Sequence, residues 1–352
     1  MKVEQVGDLP ILASQMERLE LSELLDEHFP DHGHWGGIKG GKMAVGWLLY
    51  ILSENDHRLS HVEEWCGERL NTLSSLLSVD QLRAIDFSDD RLGRYLDRLS
   101  DDQSWDNFER ALGSNLLQVY SLDTPDLAVV RTDSFNALQY RDEGQLCKHG
   151  YSKQRRCDQP FYKVMVSAVD SLTVPLAVDV LGGNGPDVDH YIPIINRVQE
   201  MFPDSGQLYV GDSQLGSMPN RVALQQDGDY YLCPLGKKQV DQGQLNDFLD
   251  AMPHNDYKQL EGLFIGHHSK RADVYFYEID RTLAYERHKW EERLIMVYSP
   301  DYAKGLVKSF SNRVIEAQEK ITNLVVSKRG RRNPKTLAQL HARIAEIKKR
   351  YK

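Results

Sequence analysis

Leu127-Ala-Val-Val-Arg-Thr-Asp133 is a short β-type run that stops on a carboxylate, and Gln207-Leu-Tyr-Val-Gly-Asp212 repeats the pattern further along the chain. β-Branched and aromatic residues favour strands, and the Ser213 and Gly216 that follow Asp212 mark a turn. Acids far apart in sequence but brought together at strand ends suit a pair of Mg²⁺ ions. Hard cations take oxygen ligands, and two metals about 4 Å apart clamp both sides of a phosphoryl transfer. An Asp at a strand end is also an ordinary turn cap, so the residues around the pair decide between the two readings. No acid of matching context follows Asp212.

Working outward, Thr124-Pro-Asp126 marks a boundary, after which strands are expected at Leu127–Arg131, Tyr162–Val169 and Val174–Val180, the last two joined by the hairpin turn Asp170-Ser-Leu-Thr. A helix from about Asp189 to Met201, strand Leu208–Val210, a helix near Pro219–Gln226 and strand Tyr230–Cys233 complete a mixed sheet with helices on its faces. Open sheets present their sites at strand ends. Residues 236–300 read as a β-rich insert, with strands at Leu263–His267, Ala272–Ile279 and Arg293–Tyr298. Leu306, Phe310, Val314, Ala317, Ile321 and Leu324 then form one helical stripe, and Leu337, Leu340, Ile344 and Ile347 a second. Together these predict a helical hairpin about the basic hinge Ser327–Asn333.

Residues 1–122 read as a helical domain. Gly36-Gly-Ile-Lys-Gly-Gly41 opens the apolar segment Met43–Leu52, Ser60 with Glu63 forms a capping box, Ser88 caps a further helix, and Ser100 with Gln103 another. Two helices about Asn55–Ser60 fit either a helix-turn-helix for DNA or a plain bundle, and the segment is not basic. Trp35, Trp47, Trp65 and Trp105 are expected in this domain's core; Trp290 fits packing in the insert or stacking on a base.

Hydrophobic residues at 41% and aromatics at 9% describe a globular protein rather than a disordered one. No apolar run approaches the roughly 20 residues of a membrane span, and the N-terminus lacks a signal-peptide core, so a cytoplasmic protein is expected. Cys66, Cys147, Cys157 and Cys233 are scattered, which suits a reducing compartment. Cys147, His149 and Cys157 lack the fourth ligand and the paired knuckle of a zinc site. The net charge of −9 conceals an asymmetry: fourteen Lys and Arg against four acids from Asp301 onward give +10, and residues 1–300 carry −19. An acidic body with a basic arm fits local contact with phosphate. A solvated helix face is the plainer alternative.

Between the two aspartates the loop 148–158 carries Lys148, Lys153, Arg155 and Arg156 with Tyr151 among them, a composition suited to a phosphate backbone and an unstacked base. Leu181-Gly-Gly-Asn-Gly-Pro-Asp187 is a Gly-rich turn whose amides are placed to face a phosphate. The order of these pieces is more specific than any one of them. A strand ending in Asp133, a Gly-Tyr-Ser-Lys-x-x-Arg-x-Asp loop, a strand pair with Pro175, Gly183-Asn-x-x-Asp187 and a strand ending in Gly-Asp212 together resemble the DDE transposases of bacterial insertion sequences. The resemblance covers roughly residues 125–300.

The resemblance implies an α/β mixed architecture: a helical N-terminal domain (1–122), the first part of an RNase H-like core (123–235), a β-rich insertion (236–300) and a basic helical hairpin (301–352). It implies Asp133 and Asp212 as the first two catalytic and metal-binding acids, Mg²⁺ (or Mn²⁺) as cofactor, and strand cleavage and transfer as the activity. The expected partners are double-stranded DNA at element ends and target, and a second copy or a full-length transposase; the expected place is the cytoplasm, on the nucleoid when DNA is bound. Lys148, Lys153, Arg155, Arg156, Lys328, Arg329, Arg331 and Arg332 are the expected DNA contacts. Gln154, Cys157 and Gln159 depart from the loop's usual residues. The third acid of this group is a Glu in a Tyr-x-x-Arg-x-x-x-Glu helix, and no tyrosine after Asp212 has Arg three positions on. Glu316 and Glu319 are alternative candidates, and would make the chain a self-contained nuclease. The expectation favoured here is a chain cut short within the insertion or its helical extension, inactive or weakly active alone, with a non-enzymatic DNA-binding or inhibitory role as the alternative.

Overall fold

The structure, a computed structural model, describes residues 3–122, 128–140, 144–150, 158–170, 172–236, 239–240, 243, 246, 258–260, 274–326 and 333–351. It divides into two compact units, Met1–Gln239 and Val240–Lys352.

The first unit opens with helices α1 (Leu9–Arg18), α2 (Leu21–His28), α3 (Gly40–Glu54), α4 (Leu59–Glu68), α5 (Leu70–Leu77), α6 (Asp89–Leu99) and α7 (Asp102–Val119). Helix α3 is apolar on nearly every side because it runs through the middle of this group, burying Met43, Val45, Leu49 and Tyr50. Its first amides are capped from elsewhere in the chain: Gly41 N–H donates to Asp26 Oδ1 at 2.7 Å and Gly40 N–H to Asp31 Oδ2 at 3.1 Å. Carboxylates at a helix N-terminus satisfy its orphan donors and its dipole. Gly41 is required by close approach, since a Cβ there would fall 2.1 Å from the Ser22 carbonyl oxygen.

Two expected caps differ. Helix α4 begins at Leu59 with Arg58 as its cap residue and no side-chain cap bond, so Ser60 and Glu63 lie inside the helix instead of boxing its end. Helix α7 is capped by Asp101, which accepts from Ser104 N at 2.9 Å, in place of Ser100. Ser88 does stand at the cap of α6, without a side-chain bond. Trp65 is buried, Trp35 and Trp47 pack on the same core, and Trp105 stays partly exposed.

The sheet of the first unit comprises β1 (Val129–Leu138), β2 (Phe161–Val169), β3 (Val174–Gly182), β4 (Leu208–Val210) and β5 (Tyr230–Leu232), in the order β3-β2-β1-β4-β5. β1, β2 and β3 form an antiparallel meander; β4 and β5 join it parallel to β1. The parallel steps need crossovers, supplied by α8 (Tyr191–Gln199) and α9 (Met218–Gln226). Pro193 fits the first turn of α8, where its missing N–H has no helical acceptor to lose. Val130, Met165, Val169, Ala177 and Tyr209 of the sheet bury against Ile194, Ile195 and Val198 of α8, Leu224 of α9 and Leu117 of α7. Each fully buried Val, Leu, Ile or Met among these contributes about 1.5–3 kcal/mol. Glu109 of α7 fastens the helical group to this sheet, accepting from Val178 N at 2.9 Å and from Arg197 Nε at 3.0 Å. The opposite face, with Phe135, Val178, Val180, Tyr230 and Leu232, is open.

The second unit contains β6 (Lys258–Leu260), β7 (Val274–Tyr285) and β8 (His288–Tyr298), an antiparallel sheet in that order, followed by α10 (Pro300–Thr322) and α11 (Leu337–Tyr351). The expected strand Leu263–His267 lies outside the described residues, whereas β7 and β8 run longer than expected because they pair as one hairpin through Glu286-Arg287. Trp290 is buried on β8, so packing rather than base stacking accounts for it. Helices α10 and α11 form a hairpin: Arg313 Nη2 donates to the Tyr351 carbonyl at 2.7 Å, and Tyr351 OH donates to Glu316 Oε2 at 3.1 Å. Among the described residues no helix is long and apolar enough to cross a membrane.

Candidate catalytic site

Strands β1 and β4 pair in parallel with Val129 opposite Leu208, Val130 opposite Tyr209 and Arg131 opposite Val210. Carried two residues further, this register brings Asp133 level with Asp212. Asp133 lies within β1, and Asp212 lies two residues past the end of β4, where the chain turns away from the sheet. Asp133 does not end its strand, as the sequence suggested. β1 continues to Leu138, paired throughout with β2, and only the parallel ladder stops short of Asp133. The antiparallel partner supplies the hydrogen bonds that a local reading of Thr132-Asp133-Ser134 does not anticipate.

Along β1 the side chains alternate. Arg131, Asp133 and Phe135 are exposed, while Thr132, Ser134 and Asn136 point into the covered face. Polar residues there need partners. Thr132 Oγ1 and Ser167 Oγ lie 2.7 Å apart, and Ser134 Oγ donates to Asp187 Oδ2 at 2.7 Å. Lys163 Nζ, on β2, donates to Asp187 Oδ1 at 2.5 Å and to the Gly185 carbonyl at 2.5 Å. Lys163 and Asp187 are both buried. On the exposed side, Arg131 pairs with Asp170, with Nη2 donating to Oδ2 at 2.9 Å.

Asp212 is held at one oxygen by two donors: Tyr191 OH at 2.9 Å and Gln214 N at 2.8 Å, both to Oδ1. Tyr191 is fully buried at the start of α8. Loss of hydration, followed by the Asp212 and Asp133 carboxylates, pushes its phenol far above the ordinary tyrosine value. The phenol thus stays a donor across the working pH range, and it lies within the field of both acids. Carboxylates are hard oxygen donors, and Asp133 and Asp212 have the chemistry to hold a divalent cation such as Mg²⁺ or Mn²⁺. Among the described residues no group of three or more His, Cys, Asp or Glu is arranged to hold a metal.

Lys148 is half-buried, and its backbone N–H and C=O exchange bonds with Phe161 at 3.0 and 3.1 Å. Lys153, Arg155, Arg156, Lys328, Arg329, Arg331 and Arg332 lie outside the described residues, as does Cys157. The Gly-rich turn differs from a phosphate cradle. Gly183 packs so closely that a Cβ would fall 2.1 Å from the Phe161 carbonyl oxygen, and its amide donates to Leu146 O at 3.1 Å. Glu316 and Glu319 lie on α10 in the second unit. The turn between α3 and α4 borders an open cavity of about 650 Å³ lined by Glu54, Asp56, Glu64 and Glu68 against Arg58 and Arg69. That excess of carboxylates disfavours a DNA backbone there.

Sequence reasoning missed Lys163, Ser134 and Tyr191. The available signal was polar residues at alternate positions of Val-rich strands, Thr132, Ser134, Asn136 and Lys163, which a covered sheet face tolerates only in a network.

The fold and the site define a mixed α/β sheet domain with one carboxylate on β1 and another just past the end of the neighbouring parallel strand β4. Residues 1–110 match the family described as a domain of unknown function, DUF4277. None of the curated proteins matches the chain. Among solved structures, a piggyBac transposase synaptic complex with hairpin DNA is similar at 12% identity and a TM-score of 0.36, over 76% of this chain and 58% of that one. The chain thus spans a little over half the length of that transposase. A Mos1 transposase paired-end complex with the left transposon end is similar at 13% identity and a TM-score of 0.23, over 72% of this chain and 92% of that one. The Mos1 strand transfer complex stands at 12% identity and 0.22.

Proposed function

We propose that this protein is a transposase of the DDE kind that acts on double-stranded DNA, with Asp133 and Asp212 as its first and second metal-binding carboxylates. The observation that supports the reading is the parallel pairing of β1 with β4, whose last pair, Arg131 with Val210, stands two residues before each of the two acids. Their spacing in sequence and the motifs between them support the same assignment. Asp133 and Asp212 would hold Mg²⁺ or Mn²⁺. Bound between carboxylates, such ions activate an attacking oxygen and stabilise the leaving one during in-line phosphoryl transfer. Tyr191 and the Gln214 amide fix the Asp212 carboxylate in advance of substrate. The loop bases Lys148, Lys153, Arg155 and Arg156 and the hinge bases Lys328, Arg329, Arg331 and Arg332 neutralise backbone phosphates, a contribution that falls steeply with salt.

The test is nicking of a double-stranded DNA end by the purified chain in Mg²⁺ or Mn²⁺, with Mn²⁺ binding measured alongside. Asp133→Ala and Asp212→Ala are each expected to abolish cleavage and to lower Mn²⁺ binding. Cleavage and binding that survive both substitutions would overturn the assignment.

A second reading is favoured by the carboxylates forming only a pair among the described residues. In it the chain binds DNA and associates with a full-length transposase without cutting. DNA binding and inhibition of such a partner that persist in the Asp133→Ala, Asp212→Ala double variant select this role.

A further inference from the structure

We propose that Ser134, Lys163, Asp187 and Tyr191 form one positioning unit that sets how Asp133 and Asp212 face each other, an inference that rests on the reading of those aspartates as metal ligands. The residue next to Asp133 is its starting point: Ser134 Oγ donates to Asp187 Oδ2 at 2.7 Å. Lys163 Nζ holds the other oxygen of Asp187 at 2.5 Å and the Gly185 carbonyl at 2.5 Å, so the turn that carries Asp187 is clamped to β2. From Asp187 the chain passes through the single 3-10 turn Val188–His190 into Tyr191, the first residue of α8. Tyr191 OH then donates to Asp212 Oδ1 at 2.9 Å, and Gln214 N shares that oxygen at 2.8 Å. A continuous path of hydrogen bonds and one short turn thus connects the neighbour of the first acid to the second acid itself.

The chemistry of the path supports a geometric role. Lys163 and Asp187 are buried on the covered face of the sheet, where apolar residues of similar volume pack at no cost in desolvation. A buried Lys–Asp–Ser set is a poor stabiliser but a directional one, because each bond fixes an angle as well as a distance. Two donors on one oxygen stop the Asp212 carboxylate from rotating about its χ2, and the Ser134 tie holds β1 to the turn that leads into α8. Groups that orient metal-binding carboxylates typically change metal affinity by about 10–100-fold when removed.

Mn²⁺ titration of the full chain, read from the electron paramagnetic resonance signal of free Mn²⁺, separates this unit from the ligands. Asp212→Asn is expected to remove most of the binding. Tyr191→Phe and Ser134→Ala, which each delete one hydroxyl and leave the Lys163–Asp187 pair in place, are expected to weaken binding by about 10-fold while the melting temperature stays near that of the wild type. Wild-type affinity in both hydroxyl variants, with binding lost in Asp212→Asn, overturns the positioning role and leaves the metal-ligand reading standing. Undiminished binding in Asp212→Asn overturns both. Should Tyr191→Phe fail to fold, Ser134→Ala decides by the same criterion.

Discussion

Replacing Lys163 by Met removes the ammonium from a buried carboxylate while keeping most of the side-chain volume. In the native protein Lys163 Nζ lies 2.5 Å from Asp187 Oδ1, and both residues are less than a tenth exposed. Breaking a buried pair by deleting one partner costs about 3–5 kcal/mol, because the remaining charge stays desolvated. For a unit of this size each kcal/mol moves the melting temperature by roughly 2–4 °C, so Lys163→Met should melt roughly 6–20 °C below wild type. Asp187→Asn relieves the stranded charge and still offers Ser134 an oxygen. The double variant Lys163→Met, Asp187→Asn should therefore recover much of the loss, giving a coupling well above the few tenths of a kcal/mol seen for independent sites. Scanning calorimetry and urea melts of the four proteins make the cycle. A Lys163→Met cost below about 1 kcal/mol, or strict additivity in the double variant, would refute the reasoning, since either outcome means that the pair is solvated.

Gly46 lies in the middle of α3, where a Cβ would come 2.5 Å from Phe87 Cε1 and 2.8 Å from its Cζ. Gly46→Ala gains about 1 kcal/mol of helix propensity but overpacks a fully buried ring, so a net loss of about 1–2 kcal/mol is expected in urea denaturation. Equal or greater stability would show that Phe87 has room to move. Glu4 ties the N-terminal segment to the start of α5. Partial loss of hydration opposes its ionisation, but hydrogen bonds from Thr72 and Asn71 outweigh this and hold its carboxyl down at about 2. A lowered pKa stabilises the fold above the ordinary value of 4.5 and loses that contribution as pH falls towards about 2. In an NMR titration the Asn71 and Thr72 amides should shift in that window together with the Glu4 carboxyl, and Glu4→Gln should remove the transition. A Glu4 midpoint near 4.5 would rule the tie out.

Much of the architecture was legible because it is written in local periodicity. Leu208–Val210 forms the strand expected of it, the runs from Phe161 and Val174 pair as a hairpin, and helices occupy 191–199 and 218–226, close to the expected Asp189–Met201 and Pro219–Gln226. Caps were less legible. Ser60 and Ser100 carry the right chemistry at the wrong residue: α4 starts one residue earlier, at Leu59, and α7 takes its cap from Asp101, whose carboxylate accepts from Ser104 N. The Gly-rich turn at 182–185 read as an anion site because exposed amides and tightly packed glycines share one sequence signature. Only the Phe161 and Lys148 carbonyls pressed against Gly183 distinguish them.

The sequence by itself determined that two strand-associated aspartates, Asp133 and Asp212, stand in a mixed α/β chain with an acidic body and a basic C-terminal stretch, because residue type, alternation and charge are properties of each segment alone. Only the tertiary structure decided that β1 and β4 are neighbours and that Tyr191 feels both carboxylates. The β1–β4 register, the burial of Ser134, Lys163 and Asp187, and the reach of Tyr191 to Asp212 each depend on which strand pairs with which. Strand pairing is set by the packing of the whole sheet against α7, α8 and α9, and no single segment contains that information.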